Sequence, residues 1–256
     1  MKNCIHKDKN IRRIITIFVV EKISKPRTMT RIIAAFDSFK GSLTSREAGE
    51  AFRRGFMTEC HDAEVEVLAI ADGGEGMAEA ISEGVGGEMV SRVVSDPLGR
   101  KVEANYALIN GGATAVIAMS SASGLTLLKP GERNPLIAST FGTGELIVDA
   151  LERGCREIIM GLGGSATNDC GVGMLRALGY RFYDAAGEEL YDTISILERV
   201  ESISTAERHP LLMGVKFTAA VDVDNPLYGA QGAAHIFAPQ KGADSEMVKR
   251  LDKGLR

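Results

Sequence analysis

A fifteen-residue run, Gly161-Leu-Gly-Gly-Ser-Ala-Thr-Asn-Asp-Cys-Gly-Val-Gly-Met-Leu175, holds five glycines. It lies between an apolar strand-like segment, Glu157–Met160, and a helix-like one, Met174–Leu178. Glycine lets the backbone turn sharply and admits a ligand with no side chain in the way. Ser165, Thr167, Asn168 and Asp169 add hydroxyl, amide and carboxylate groups to the same turn. A strand, a glycine loop and a helix N-terminus together favour an anion, through free N–H groups and the helix dipole. The run reads as a phosphate-handling loop, and a fold that contains it must end a strand there.

The flanking sequence repeats the strand–loop–helix pattern. Ile32–Phe36 is an apolar run ending at Asp37, and Thr44-Ser-Arg-Glu47 is a capping box followed by apolar residues at helical spacing. Val65–Ile70 precedes Asp72, with a helical stretch from Glu75 to Ile81. Residues 88–119 hold short strand-like runs with a turn at Asp96-Pro-Leu-Gly99, which predicts an antiparallel or mixed section. Helix–strand alternation resumes at Glu145–Leu151, and a last strand, Val215–Val221, precedes Asp222. The fold class is α/β.

Composition removes several functions. The 256 residues are 45% hydrophobic, enough for a large core. Four cysteines show no CxxC pairing and four histidines no HExxH spacing, which argues against a disulfide framework or zinc site and for a reducing cytoplasm. Residues 1–28 carry eight basic and two acidic side chains against a whole-chain charge of −4, so the remainder carries −10. An acidic body argues against nucleic-acid binding. The apolar run Ile14–Val20 falls far short of the roughly 20 residues that span a bilayer, and no small-residue cleavage site follows it. Residues 1–29 therefore read as a basic extension: a disordered tail, a targeting arm, or translated sequence upstream of Met29.

Aspartates recur where apolar strands end: Asp37, Asp72, Asp169 after the glycine loop, and Asp222. Ligands of open parallel sheets bind beyond the carboxyl ends of the strands. Phosphoryl transfer uses carboxylates to hold Mg²⁺ and to accept the proton of an attacking hydroxyl, and it uses cations around the moving charge. Lys40 and Lys241 are candidate cations. Ala71-Asp-Gly-Gly-Glu-Gly76 and Phe141-Gly-Thr-Gly-Glu145 are further glycine sites, each an anion site or a simple turn. Gly161-x-Gly163-x-x-Ala166 with Asp184 about twenty residues on also fits a dinucleotide fingerprint, and so an NAD-dependent oxidoreductase. The helix start after Asp169 speaks against that alternative. No Gly-Lys-Ser/Thr follows a glycine loop, so the chain is not a Walker-type kinase.

Seven motifs then occur in order: Asp37-Ser-Phe-Lys-Gly-Ser-Leu-Thr44, Ala71-Asp-Gly-Gly-Glu-Gly76, Asp96-Pro-Leu-Gly99, Gly142-Thr-Gly-Glu-Leu146, Gly163-Gly-Ser-Ala-Thr-Asn-Asp169, Asp222 with Asn225-Pro-Leu227, and Phe237-Ala-Pro-Gln-Lys-Gly242. From about Met29 onward the chain resembles the type-1 glycerate kinases, the bacterial ATP-dependent D-glycerate kinases. The resemblance implies phosphorylation of D-glycerate, usually at the 2-hydroxyl, with ATP and Mg²⁺. It implies a flavodoxin-like domain with a mixed α/β domain inserted into it and the site in the cleft between them. Carried onto this sequence, it makes Asp37, Lys40 and Asp222 the catalytic candidates. Ser38, Asp72, Gly73, Gly74, Glu75, Gly163, Gly164, Ser165, Thr167, Asn168, Asp169, Asn225 and Lys241 become candidates for substrate and phosphate, and Asp169 or Asp222 for Mg²⁺.

The chain departs from the family pattern at Phe36, where proline is usual, at Ala118, where glutamate is usual, and at Cys170, where glycine is usual. A non-glycine residue at position 170 is costly if that position needs positive φ. Family members also continue beyond the point matching Arg256. The expected organisation is a basic extension at 1–29, the start of an incomplete flavodoxin-like domain at 30–85, and the inserted domain at 86–256. An incomplete sheet would leave an unpaired edge and an uncovered apolar face. The chain as it stands therefore reads either as a kinase or as a non-catalytic remnant of one.

Overall fold

A computed structural model describes residues 31–39, 42–71 and 73–256, together with the backbone of residues 16–20. Two compact units divide between Ile70 and Ala71. In the first, β1 (Thr16–Val20) pairs antiparallel with β2 (Arg31–Phe36), and β2 pairs parallel with β3 (Glu64–Ala69). Helix α1 (Ser45–Glu59) makes the crossover between β2 and β3. Alternation along β2 sends Ile32, Ala34 and Phe36 inward, where they meet Ala48 of α1 and Val65 of β3. The expected capping box closes the N-terminus of α1: Glu47 N–H donates to Thr44 Oγ1 at 3.2 Å and Thr44 N–H to Glu47 Oε2 at 2.8 Å. Ser45 ties the strand ends together, donating to the Phe36 carbonyl and accepting from Ile70 N–H at 3.0 Å.

The second unit is built on five strands: β4 (Glu88–Ser95), β5 (Lys101–Ile109), β6 (Thr114–Ala118), β7 (Glu157–Gly161) and a last strand, β11 (Lys216–Ala220). They form one sheet in the order β11-β7-β6-β5-β4. β4, β5 and β6 run antiparallel in succession, whereas β6, β7 and β11 are parallel. Period-2 alternation gives the sheet two apolar faces. Ala107, Ile109, Val116 and Ala118 meet Met77 and Ala78 of α2 (Met77–Val85). Ala104, Tyr106, Ala115 and Ile117 meet Leu146, Ile147, Ala150 and Leu151 of α4 (Phe141–Glu152), after the short α3 (Ser120–Ser123). All five residues of β6 are buried, as expected for a central strand covered on both sides.

Helix α5 (Val172–Ala177) follows the glycine loop and leads to three short strands, β8 (Arg181–Tyr183), β9 (Glu189–Leu190) and β10 (Ser202–Ser204). These make a small antiparallel sheet ordered β10-β8-β9, with α6 (Thr193–Arg199) between β9 and β10 in the chain. Helices α7 (Ala233–Phe237) and α8 (Ser245–Leu255) pack together around Ala234, Ala238, Val248 and Leu251. The mixed α/β class is as expected. Helix α2 belongs to the second unit, packing on its sheet through Met77 and Ala78. Five residues of the N-terminal extension form β1, and the others lie outside the described residues. Among the described residues no helix is long and apolar enough to cross a membrane.

Candidate functional site

The glycine loop leaves the sheet at the carboxyl end of β7, between β6 and β11. Met119 N–H donates to the Gly161 carbonyl at 2.9 Å, and Leu162 N–H to the Ala220 carbonyl at 3.3 Å. Gly163 N–H reaches the carbonyl of Gly73 in the second glycine loop at 3.0 Å. Those two loops are in backbone contact. A Cβ on Gly163 would come within 2.9 Å of Gly74 Cα, and one on Gly161 within 2.3 Å of the Gly73 carbonyl oxygen. Glycine at these positions is thus first a packing requirement, which brings both loops to one sheet end.

Asp169 anchors the far side of the loop. Its Oδ2 accepts from Thr140 N–H at 2.9 Å, Thr140 Oγ1 at 2.7 Å and Gly173 N–H at 3.2 Å, and its Oδ1 accepts from Gly171 N–H at 3.1 Å. Three donors converge on Oδ2 and one on Oδ1, which has room for another. Thr140 immediately precedes α4, and its hydroxyl also accepts from Met174 N–H of α5 at 2.9 Å. Asp169 and Thr140 therefore join the starts of α4 and α5 to the loop.

Lys241 enters from the turn after α7. It is buried, and its ammonium donates to Ser165 Oγ at 3.0 Å and to the Thr167 carbonyl at 2.5 Å. Desolvation pushes its pKa down to about 8, against an opposing pull from the Asp169 charge. Ala166 N–H donates to the Ser123 carbonyl and Leu125 N–H to the Gly164 carbonyl, fixing the loop against α3. The N–H groups of Gly164, Ser165, Thr167, Asn168, Asp169 and Cys170 donate to no partner among the described residues. The buried Asn168 side chain likewise has an Nδ2 without an acceptor. Thr167, Asn168 and Asp169 are buried, whereas Gly164 and Cys170 are exposed, and a row of open donors along one accessible loop favours an oxygen-rich anion.

The structure brings Gly73, Gly74, Gly163, Gly164, Ser165, Thr167, Asn168, Asp169 and Lys241 into this one assembly. Glu75 is beside it, accepting from Thr126 Oγ1 at 2.7 Å. Asp222 is exposed in the segment after β11, and Asn225 Nδ2 donates to the Gln231 carbonyl at 2.9 Å within the same segment. Asp37 and Ser38 lie at the end of β2 in the first unit, where Ser38 N–H donates to Asp37 Oδ1 at 2.7 Å. Lys40 and Asp72 lie outside the described residues.

Other expectations change. Gly142 and Gly144 sit inside the first turn of α4 and are not an anion loop. A Cβ on Gly142 would come within 1.8 Å of the Ser95 carbonyl oxygen, and one on Gly144 within 2.6 Å of Ala177 Cβ and of the Met174 carbonyl oxygen. The dinucleotide alternative loses its helix, since α5 starts only at Val172, well past Ala166. Cys170 does adopt positive φ, at 53°. Thr140, Thr126 and the buried pair Ser123–Thr143, whose hydroxyls are 2.7 Å apart, are site neighbours that sequence reasoning missed. A Thr directly ahead of a helix was the available signal for Thr140.

A Mg²⁺ ion needs open carboxylate oxygens. Asp169 Oδ2 is crowded by three donors, whereas its Oδ1 accepts only from Gly171 N–H and keeps a lone pair open. Among the described residues no cluster of three or more His, Cys, Asp or Glu could hold a metal.

Comparison with known proteins identifies the relatives of this chain. It is 45% identical over 225 residues to the glycerate kinase of Bacillus subtilis strain 168, covering 88% of this chain and 59% of that protein. It is 43% identical over 225 residues to the glycerate 2-kinase of Escherichia coli K12, with the same coverage of 88% and 59%. A crystal structure assigned as glycerate kinase 2 from Salmonella typhimurium LT2 matches with a TM-score of 0.75 and 44% identity, over 90% of this chain and 61% of that one. The chain thus spans about three-fifths of the length of the relatives it matches. The sequence model of the glycerate kinase family matches residues 32–256, and the chain belongs to that family.

Proposed function

We propose that this chain carries the phosphate-binding part of an ATP-dependent D-glycerate kinase, with transfer to the 2-hydroxyl. The observation that carries the reading is the set of open donors between Gly164 and Cys170, together with Asn168 Nδ2, at the carboxyl end of three parallel strands. Such donors stabilise phosphate charge as it shifts during transfer. Lys241 supports the loop that carries them, its ammonium donating to Ser165 and Thr167. Asp37 and Asp222, each following a strand, are the candidate bases for the glycerate hydroxyl, with Lys40 as a candidate cation. Asp222 is exposed, which suits a Mg²⁺ whose other ligands are water and nucleotide phosphates, the usual arrangement in kinases. Held there, the ion would neutralise charge on the β- and γ-phosphates. Ser38, Asp72, Glu75 and Asn225 complete the proposed substrate contacts. A relative bearing the name glycerate 2-kinase supports the choice of hydroxyl. Free cysteines at 60, 155 and 170 fit a cytoplasmic setting.

The test is phosphorus NMR of the purified chain with ATP, Mg²⁺ and D-glycerate. Glycerate-dependent loss of the γ-phosphate and a 2-phosphoglycerate resonance are expected. A folded chain that neither binds ATP nor forms phosphoglycerate would overturn the reading. Binding of ATP without turnover would restrict it to a nucleotide-binding remnant.

A further inference from the structure

We infer that Arg133 is an anion-binding residue of the same site, an inference that rests on the phosphoryl-transfer reading. Arg133 is half-buried, and its Nε is closed to solvent without a hydrogen-bond acceptor. No carboxylate among the described residues pairs with its guanidinium. The neighbouring acid is engaged elsewhere: Glu132 accepts from Arg100 Nη1 at 2.8 Å and from Lys129 N–H at 3.0 Å. A solvent-closed guanidinium nitrogen is seldom left without an acceptor, so an anion from outside the chain is the natural complement.

Its position links it to the glycine loop. The Arg133 backbone lies directly on Gly242, where a Cβ would come within 2.3 Å of the Arg133 carbonyl oxygen, and Gly242 has φ of 95°. The preceding residue is Lys241, whose ammonium rests on Ser165 and Thr167. The segment that starts at Arg133 ends at Thr140, which bonds to Asp169. Arg133 thus begins a segment that abuts Gly242, next to Lys241, at one end and bonds to the loop through Thr140 at the other. Lys241 holds the loop itself. Arg176 also has a buried Nε without an acceptor, but its guanidinium donates to the Tyr191 carbonyl and stacks on Phe141 and Tyr191. The guanidinium presents a planar fork that suits an oxyanion in bidentate geometry, either a nucleotide phosphate or the carboxylate of the hydroxy acid.

The test is calorimetric titration of ATP alone and of D-glycerate alone into the wild type, Arg133→Met and Arg133→Lys, with thermal melting as the control for folding. Arg133→Met is expected to weaken one ligand by about tenfold to a hundredfold, the loss of a charge-assisted hydrogen-bonded pair, and to leave the other within about twofold. The ligand affected identifies the oxyanion: ATP means phosphate, glycerate means carboxylate. Arg133→Lys should recover part of the loss, because lysine restores charge without the fork. Should Arg133→Met melt early, Arg133→Gln replaces it in the comparison. Wild-type affinity for both ligands in a folded variant lacking the guanidinium overturns the inference and leaves the kinase reading intact. A folded wild type that binds neither ligand overturns both.

Discussion

The ammonium of Lys241 donates to the carbonyl of Thr167 across a buried contact of 2.5 Å, linking the turn after α7 to the glycine loop. Burial lowers the folded pKa to about 8 from an ordinary 10.5. An unfolded chain therefore holds this proton over a pH range in which the folded chain has released it. Stability contributed by this group rises with pH from about 8 to 10.5, and the cost of burying the charge is fully present below that window. The wild type should gain up to about 1 kcal/mol per pH unit relative to Lys241→Met across the window. Denaturant unfolding at pH 8, 9 and 10 measures it, and parallel curves for the two proteins would refute it.

Asp149 of α4 gathers a second network, accepting from Arg92 Nε at 2.6 Å, Tyr106 Oη at 2.6 Å and Arg153 Nε at 2.8 Å. Burial opposes its ionisation, but these three donors outweigh burial and hold its pKa at about 2, below the ordinary 3.8. Tyr106 is pushed up, first by burial and then by the Asp149 hydrogen bond. With a depressed folded pKa, the stabilisation is present above pH 3.8 and is lost as pH falls toward 2. Asp149→Asn should cost about 1–2 kcal/mol at neutral pH, and the difference should close in acid. Urea unfolding at pH 7 and pH 3 checks both halves; a cost that is the same at both would remove the charge from the account.

Local features of the fold are legible in the sequence, and contacts between distant segments are not. The capping box at Thr44 and Glu47 is contained in four residues, so sequence reading places it correctly. The strand ahead of Gly161 and the helix after Asp169 follow from apolar patterning with glycine at the break. The partner of Asp169 is another matter, because Thr140 lies 29 residues upstream and no local pattern joins them. Gly142 and Gly144 do mark places that exclude a side chain, yet the space is filled by Ser95 and α5 rather than by a ligand. A missing Cβ looks the same in either case. The strands β8, β9 and β10 have two or three residues each, too few to display a period. Lys241 is legible as a cation near a glycine loop, but its inward course toward Thr167 depends on packing of α7 and α8 around Ala238.

Helix glycines make a prediction whose sign depends on packing. In an exposed helix interior, glycine to alanine stabilises by up to about 1 kcal/mol. Gly55 in α1 has nothing within 4 Å of the place where a methyl would sit, so Gly55→Ala should follow that rule. Gly144→Ala would place its methyl 2.6 Å from both Ala177 Cβ and the Met174 carbonyl oxygen. Overpacking of about 1–3 kcal/mol should then exceed the helical gain, and the variant should melt below the wild type. Thermal melting of the two variants should shift in opposite directions. A Gly144→Ala protein as stable as Gly55→Ala would show that α4 and α5 do not pack this closely.

Cys170 carries a side chain where the backbone asks for glycine. Its φ of 53° lies between Asp169, which accepts four hydrogen bonds, and Gly171, whose φ of 74° starts α5. The left-handed conformation costs an ordinary L residue about 1–2 kcal/mol, and Asp169, bonded to Thr140 and to Gly171 N–H, braces the turn. Cys170 is exposed, so replacing it removes little packing. Cys170→Gly relieves the backbone strain but adds freedom to the unfolded chain, which leaves a net gain of about 0.5 kcal/mol. Cys170→Val adds a β-branched side chain at the same φ and should lose about 1–2 kcal/mol. The expected order of melting temperatures is glycine, then cysteine, then valine. A valine variant that melts with the wild type would mean that this turn does not hold the left-handed conformation, and the open donors beside it would lose their fixed geometry.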